Sequence, residues 1–172
     1  ICCRPGSKLV GVFNRDNVTM RFQIDKLLEA SCSKVSSNTV GVLLSGGVDS
    51  LSIAFALDNI GKTIHAYSFR LDRHDNYDNK KAKLACEVFG WKYTECIVGT
   101  SNLSKDFIEL SKTFGCRKKT HFECVYPFMY VYPLVEQKAV FTGWGADGYY
   151  GVSKKAMMHY KEPKEKFDEF RL

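Results

Sequence analysis

The chain has 172 residues, 45% hydrophobic and 26% charged, with 25 Lys and Arg against 19 Asp and Glu for a net charge of +6. That length suits one domain, and a fold of this size buries roughly 70% of the surface its unfolded chain exposes, so neither disulfides nor a metal are needed for a core. Composition excludes a disordered, collagenous or coiled-coil chain, no apolar run approaches the ~20 residues of a membrane helix, and the charge is too mild and dispersed to indicate a nucleic-acid binder by itself.

In chain order, residues 8–13 and 18–22 are β-prone runs around the turn-rich Asn14-Arg15-Asp16-Asn17, which predicts a short N-terminal β-hairpin. Ile24, Leu27, Leu28 and Cys32 recur at helical spacing, so a helix is expected from about 23 to 35. Residues 39–44 form an unbroken apolar run, the mark of a strand covered on both faces in a parallel sheet. It enters Ser45-Gly46-Gly47, and Asp49 and Ser50 then start a buried helix through Leu57. The pattern repeats, with a strand at 63–69, a helix at 79–89 and a strand at 92–98. Two helical stretches follow at 103–113 and 122–137, the second broken at Pro127 and Pro133, which lack a backbone donor. A short strand at 139–142 enters a glycine-rich stretch to Gly151, and a basic helix at 153–160 leads into a polar tail. Strands alternating with helices imply an α/β fold, with a mainly parallel sheet and helices on both faces.

Seven cysteines show no C-x-x-C spacing. Cys32, Cys86, Cys96, Cys116 and Cys124 sit in apolar contexts and are expected to be buried, reduced thiols. With no charged and apolar leader at the start, the expected location is cytoplasmic.

The strongest chemical signal is TVGVLLSGGVDSLSIAFAL, residues 39–57. A buried strand delivers Ser45-Gly46-Gly47-Val48-Asp49-Ser50 to the sheet's carboxyl edge, where open α/β sheets bind ligands. Glycines let successive N–H groups turn toward one point, and the helix start adds unpaired donors and partial positive charge, a site for phosphate. The Ser45 and Ser50 hydroxyls can donate to phosphate oxygens. Asp49 cannot favour an anion directly; its carboxylate makes sense as a ligand of Mg²⁺ between protein and phosphates. No lysine stands in the loop, so it is not a Walker-type loop. A second strand–glycine–aspartate corner, AVFTGWGADGYYG at 139–151, would bring Asp147 within reach of the same metal.

The first motif resembles the SGGxDS pyrophosphate loop of the PP-loop ATP pyrophosphatase superfamily. With Thr142-Gly143-Trp144-Gly145-Ala146-Asp147 and Tyr149-Tyr150-Gly151, the chain is most similar to the C-terminal synthetase domain of asparagine synthetases, which has SGxGADExxGGY after its own strand. The resemblance covers about residues 23–160. It implies an adenine nucleotide alpha hydrolase-like fold and an ATP-dependent amide (C–N) ligase that activates its substrate by adenylation and forms AMP and pyrophosphate. By it, Ser45, Gly46, Gly47, Val48 and Ser50 would bind ATP, and Gly143 and Gly145 would line the site. Asp49 and Asp147 would be the catalytic Mg²⁺ ligands, and the strand end at Ser68 and Phe69 would offer backbone to adenine. The organisation is then a hairpin segment over 1–22, the nucleotide-binding domain over 23–160 and a charged tail over 161–172.

The chain departs from that family at Gly148, where the family has glutamate. The family's glutamine-hydrolysing domain has no counterpart in the residues before the first helix, so nitrogen would come from a separate ammonia- or glutamine-supplying subunit. Lys154 and Lys155 are the nearest substitutes for the family's pyrophosphate lysine. The acceptor is expected to be a small molecule, with no membrane partner. Two alternatives stay open. One is a PP-loop enzyme that modifies a nucleic-acid base, favoured by Arg117, Lys118 and Lys119. The other is a non-catalytic nucleotide-binding relic. Tyr126, Phe128, Tyr130 and Tyr132 form an aromatic cluster expected in the core, with a pocket floor as the alternative.

Overall fold

The computed structural model describes residues 15–74 and 77–146. Four strands, β1 (Thr39–Leu43), β2 (Thr63–Leu71), β3 (Lys92–Val98) and β4 (Val140–Thr142), form one sheet in the order β3-β2-β1-β4, with every pairing parallel. The chain steps outward from β1 to β3 through α2 (Val48–Asn59) and α3 (Tyr77–Phe89), then returns across the sheet to β4. Parallel crossovers are right-handed, so reversing the direction of travel puts the return connection on the opposite face. That connection comprises α4 (Leu103–Phe114), α5 (Lys119–Val125), α6 (Phe128–Val131) and a 3₁₀ turn, Tyr132–Leu134.

Two apolar layers result. Val40, Val42 and Leu44 of the β1 segment, with Ile64 and Ala66 of β2, pack with Ala54 and Leu57 of α2 and Ala82 and Cys86 of α3. Tyr67, Cys96, Val98, Leu110, Tyr126 and Val131 fill the other side. Alternate residues of β1 and β2 thus enter opposite cores, and this is why β1 reads as an apolar run without alternation.

One sequence expectation is corrected. Residues 18–22, read as the second hairpin strand, lie inside the helix α1 (Arg15–Cys32). Met20, Ile24, Leu28 and Cys32 form an i, i+4 series that carries helical periodicity back through the β-prone residues. The first hairpin run at 8–13 and the helix at 153–160 lie outside the described residues. The prolines act as expected: Pro127 precedes α6 and Pro133 sits in the first turn of the 3₁₀ helix. Cys32, Cys86, Cys96 and Cys116 are buried and free, and burial pushes the Cys86 thiol up to about 11. Cys124 is exposed, contrary to expectation. No helix among the described residues is long and apolar enough to cross a membrane.

Beneath β2 lies a buried polar network. The Tyr67 hydroxyl donates to Gln137 Oε1 at 2.8 Å, and Gln137 Nε2 is 3.2 Å from His65 Nδ1. The Tyr67 hydroxyl is also 2.9 Å from Nδ1, and on the far side of the ring Nε2 faces Thr94 Oγ1 at 2.8 Å. Burial, followed by the nearby Lys92 charge, holds His65 below the ordinary histidine value. The folded state therefore favours neutral His65, and as pH falls below about 6.5 the unfolded chain takes up the proton first. Unfolding in urea should show lower stability at pH 5.5 than at pH 7.5, with a flatter pH profile in His65→Gln. Parallel profiles for the two proteins would contradict this assignment.

Candidate functional site

The strand order reverses between β1 and β4, and both strands end at the same rim, with Leu43 beside Thr142. Ligands of open α/β sheets bind at such a switch point, where loops on either side part. Here a cleft of about 380 Å³ opens, lined by Ser45, Gly47, Asp49 and Ser50 from the first loop and Thr142, Gly143, Trp144 and Gly145 from the second.

The serine hydroxyls hold the first loop in shape. Ser50 Oγ donates to the Gly47 carbonyl at 3.2 Å, so its lone pairs are left to accept from the Ser45 N–H at 3.2 Å and from the Ser45 hydroxyl at 3.1 Å. Ser45 Oγ in turn accepts from the Gly47 N–H at 3.3 Å. Gly47 precedes α2 without a side-chain cap, and the first backbone bond of the helix runs from the Leu51 N–H to the Gly47 carbonyl. The N–H groups of Val48, Asp49 and Ser50 are thus the donors that an α-helix start leaves without intrahelical acceptors.

Two glycines are required by close approach. Gly46 has φ +73, and a Cβ there would stand 2.6 Å from the Asp78 carbonyl oxygen and 2.9 Å from the Ala82 nitrogen. Only glycine lets the loop run this close to α3. A Cβ on Gly143 would stand 2.7 Å from Ser50 N and 2.9 Å from Asp49 Cβ. The second loop therefore lies directly on the first turn of α2, and the two glycine motifs form one wall.

Opposite that wall, Leu44 N–H donates to the Tyr67 carbonyl at 2.8 Å, and β1 has ended while β2 continues to Leu71. By the alternation of a parallel strand, the next residue whose N–H and C=O point toward β1 is Phe69. Its backbone is thus an open strand edge beside the cleft, and Phe128 packs edge-to-face on its ring, with centroids 6.0 Å apart.

The structure thus brings Ser45, Gly47, Asp49, Ser50, Ser68, Phe69, Gly143 and Gly145 to one cleft. Gly46 and Val48 are not on its wall: Gly46 abuts α3, and Val48 is exposed. Asp147 lies outside the described residues. The Ser68 side chain is buried and donates to Asn79 Oδ1 at 3.0 Å, so its hydroxyl serves the scaffold. Sequence reasoning missed Asp78, Asn79, Val131 and Trp144 as cleft residues. The start of α3 was legible, but its position under the first loop depends on the Gly46 contact. Of the aromatic cluster, Tyr126 is buried in the core as expected, whereas Phe128 lines the cleft.

The family model for asparagine synthase matches residues 23–168. Among solved structures, the chain is similar to an NMN synthetase from Francisella tularensis, with 17% identity and a TM-score of 0.53 over 84% of this chain and 60% of that one. It is similar also to a glutamine-dependent NAD+ synthetase from Acinetobacter baumannii in complex with ADP, with 17% identity and a TM-score of 0.52, over 75% of this chain and 26% of that one. The chain thus spans three-fifths or less of the length of these two proteins, and the likeness is one of fold. A comparison with curated proteins finds no match. The match over residues 23–168 agrees with the parallel sheet and its glycine corners, and the chain belongs to the asparagine synthase family.

Proposed function

We propose that the chain is the ATP-cleaving part of an amide-forming ligase, and that it activates a small acceptor acid by adenylation with release of pyrophosphate. The observation that carries this reading is the Gly143 contact, which sets the second glycine loop against Asp49 and the uncapped start of α2. In this arrangement the start of α2 at Asp49 and Ser50 receives the β- and γ-phosphates, and the Phe69 backbone edge receives adenine, leaving the α-phosphate between them. An acceptor carboxylate oxygen attacks the α-phosphorus, the bond to the bridging oxygen breaks, and pyrophosphate leaves with the electron pair. A nitrogen nucleophile then attacks the acyl carbon and AMP departs. The helix-start donors are fixed before reaction, so they stabilise charge as it builds on the leaving group without reorganising.

Asp49 offers hard carboxylate oxygens on the cleft wall, and this donor type fits Mg²⁺, which binds through one or two carboxylates together with phosphate oxygens and water. Asp49 and Asp147 are the residues proposed to hold it, and when bound it would draw charge from the departing pyrophosphate. The nitrogen source is proposed to be ammonia or a separate glutamine-hydrolysing subunit.

The decisive assay is product analysis with ATP labelled at the α-phosphate. AMP and pyrophosphate are expected; ADP and phosphate would refute the reading, and absence of both turnover and ATP–pyrophosphate exchange would favour the non-catalytic alternative. Asp49→Asn and Asp147→Asn should each lower exchange at least about 100-fold. Gly143→Ala tests the wall itself. Its methyl must displace Ser50 or the second loop, at a cost of about 1–3 kcal/mol, and ATP affinity should fall about tenfold while circular dichroism is unchanged. Unaltered affinity would show that the contact does not shape the site.

A further inference from the structure

β1 carries a glycine, Gly41, in the middle of its apolar run, and the sheet explains why. Lys92, His65, Gly41 and Val140 stand in one row across β3, β2, β1 and β4. Val40 and Val42 enter the core with α2, so position 41 faces the other side of the sheet, as Leu43 does. A Cβ there would stand 3.4 Å from Gln137 Oε1, 3.4 Å from Val140 Cγ2 and 3.6 Å from a Tyr67 ring carbon. The amide of Gln137 thus occupies the room that a longer side chain at 41 would take. From the lead-in to β4 it passes over β1 and reaches β2, where it accepts from the Tyr67 hydroxyl at 2.8 Å and lies 3.2 Å from His65 Nδ1. The preceding residue adds two contacts: the Glu136 N–H donates to the Tyr67 oxygen at 3.3 Å, and the Glu136 carboxylate is 3.7 Å from Lys92 Nζ of β3.

β4 needs such a tie. It has three residues, of which Val140 and Thr142 are exposed and Phe141 is half-buried, and among the described strands it pairs with β1 alone. So short an edge pairing buries little apolar surface and holds weakly by itself. His65 and Tyr67, in contrast, are buried on β2, which is paired on both sides. Bonds to them fasten residues 136–137 to the middle of the sheet. Gly143 follows Gln137 by only six residues, and β4 lies between them, so a shift of the lead-in passes to the second glycine loop.

We propose that Gln137 is a positioning residue for the second glycine loop: by bridging the lead-in of β4 to β2 across Gly41, it holds β4 where Gly143 rests on the first turn of α2. The tie belongs to the fold, and only its effect on nucleotide affinity rests on the function proposed above. Its surroundings let it be removed without stranding a polar group. The Tyr67 hydroxyl and His65 Nδ1 are 2.9 Å apart and can bond to each other, so Gln137→Met, which keeps the length of the side chain, leaves both with a partner. The loss then falls on the tie and not on an unsatisfied buried group.

Amide hydrogen exchange separates the two ladders involved. The Gly41 N–H donates to the Ala139 carbonyl at 2.9 Å and reports on β1–β4 pairing, whereas the Leu44 N–H donates to the Tyr67 carbonyl at 2.8 Å and reports on β1–β2 pairing. In Gln137→Met, exchange at Gly41 should rise at least about tenfold while that at Leu44 is unchanged. Affinity for a non-hydrolysable ATP analogue should fall about tenfold, and the Gln137→Met/Gly143→Ala double variant should bind it no more weakly than Gly143→Ala alone, as for two changes acting through one contact. Trp91→Phe, which removes the indole bond to Asp58 Oδ1 at 3.0 Å in the opposite layer, should alter neither readout. Equal acceleration at Gly41 and Leu44, no acceleration at Gly41, unaltered analogue affinity in Gln137→Met, full additivity in the double variant, or the same response in Trp91→Phe would each overturn the proposal. If the analogue fails to bind the unaltered protein while Gln137→Met accelerates exchange at Gly41 alone, the nucleotide reading fails and the tie stands.

Discussion

The site depends on one close approach, that of the Gly143 backbone to the first turn of α2. A methyl group at that position would meet Ser50 N at 2.7 Å, well inside contact distance, so the second loop can rest there only because nothing projects from it. Gly46 does the same on the other flank, where the first loop runs against the backbone of α3. Between the two contacts, the start of α2 is clamped with its unpaired N–H groups beside the cleft. The parallel sheet supplies the frame: β1 and β4 end level with each other, and the loops leaving them must diverge around whatever occupies the switch point.

Among the described residues, the buried polar side chains are committed to one another, the Tyr93 hydroxyl excepted, which separates scaffold from ligand-binding surface. The Ser45 and Ser50 hydroxyls close the first loop internally, and Ser68, Asn79 and Glu95 tie β2, α3 and β3 together. His65, Tyr67, Gln137 and Thr94 do the same under the sheet. A buried polar group without a partner costs about 1–3 kcal/mol, so these chains restrict how the strands can shift relative to the helices. What remains available at the cleft is mainly backbone: helix-start N–H groups on one wall and the strand edge at Phe69 on the other.

Much of this was legible in the sequence because each element has its own signal. Residues 39–44 are apolar without alternation, and β1 is buried on both faces. Lys92–Val98 and the helix from Leu103 were visible from composition and spacing. Residues 18–22 misled because Val18, Met20 and Phe22 alternate as in a strand, while the longer i, i+4 series through Cys32 determines the helix. At the site, the two motifs announced themselves through glycine and aspartate placed after strands. Their direct contact and the place of Asn79 in the cleft were not legible. These arise from the packing of α3 against the first loop, and no local spacing encodes that.

The two tryptophans of the chain stand in contrasting surroundings. Trp91 is 7% exposed, stacked on Phe89 and bonded through its indole N–H to Asp58 Oδ1 at 3.0 Å. Trp144 is 87% exposed on the lip of the cleft. The protein therefore carries its own pair of optical probes, a shielded emitter that reports on the integrity of the interior and a solvent-facing one whose quenching by iodide reports on traffic through the mouth.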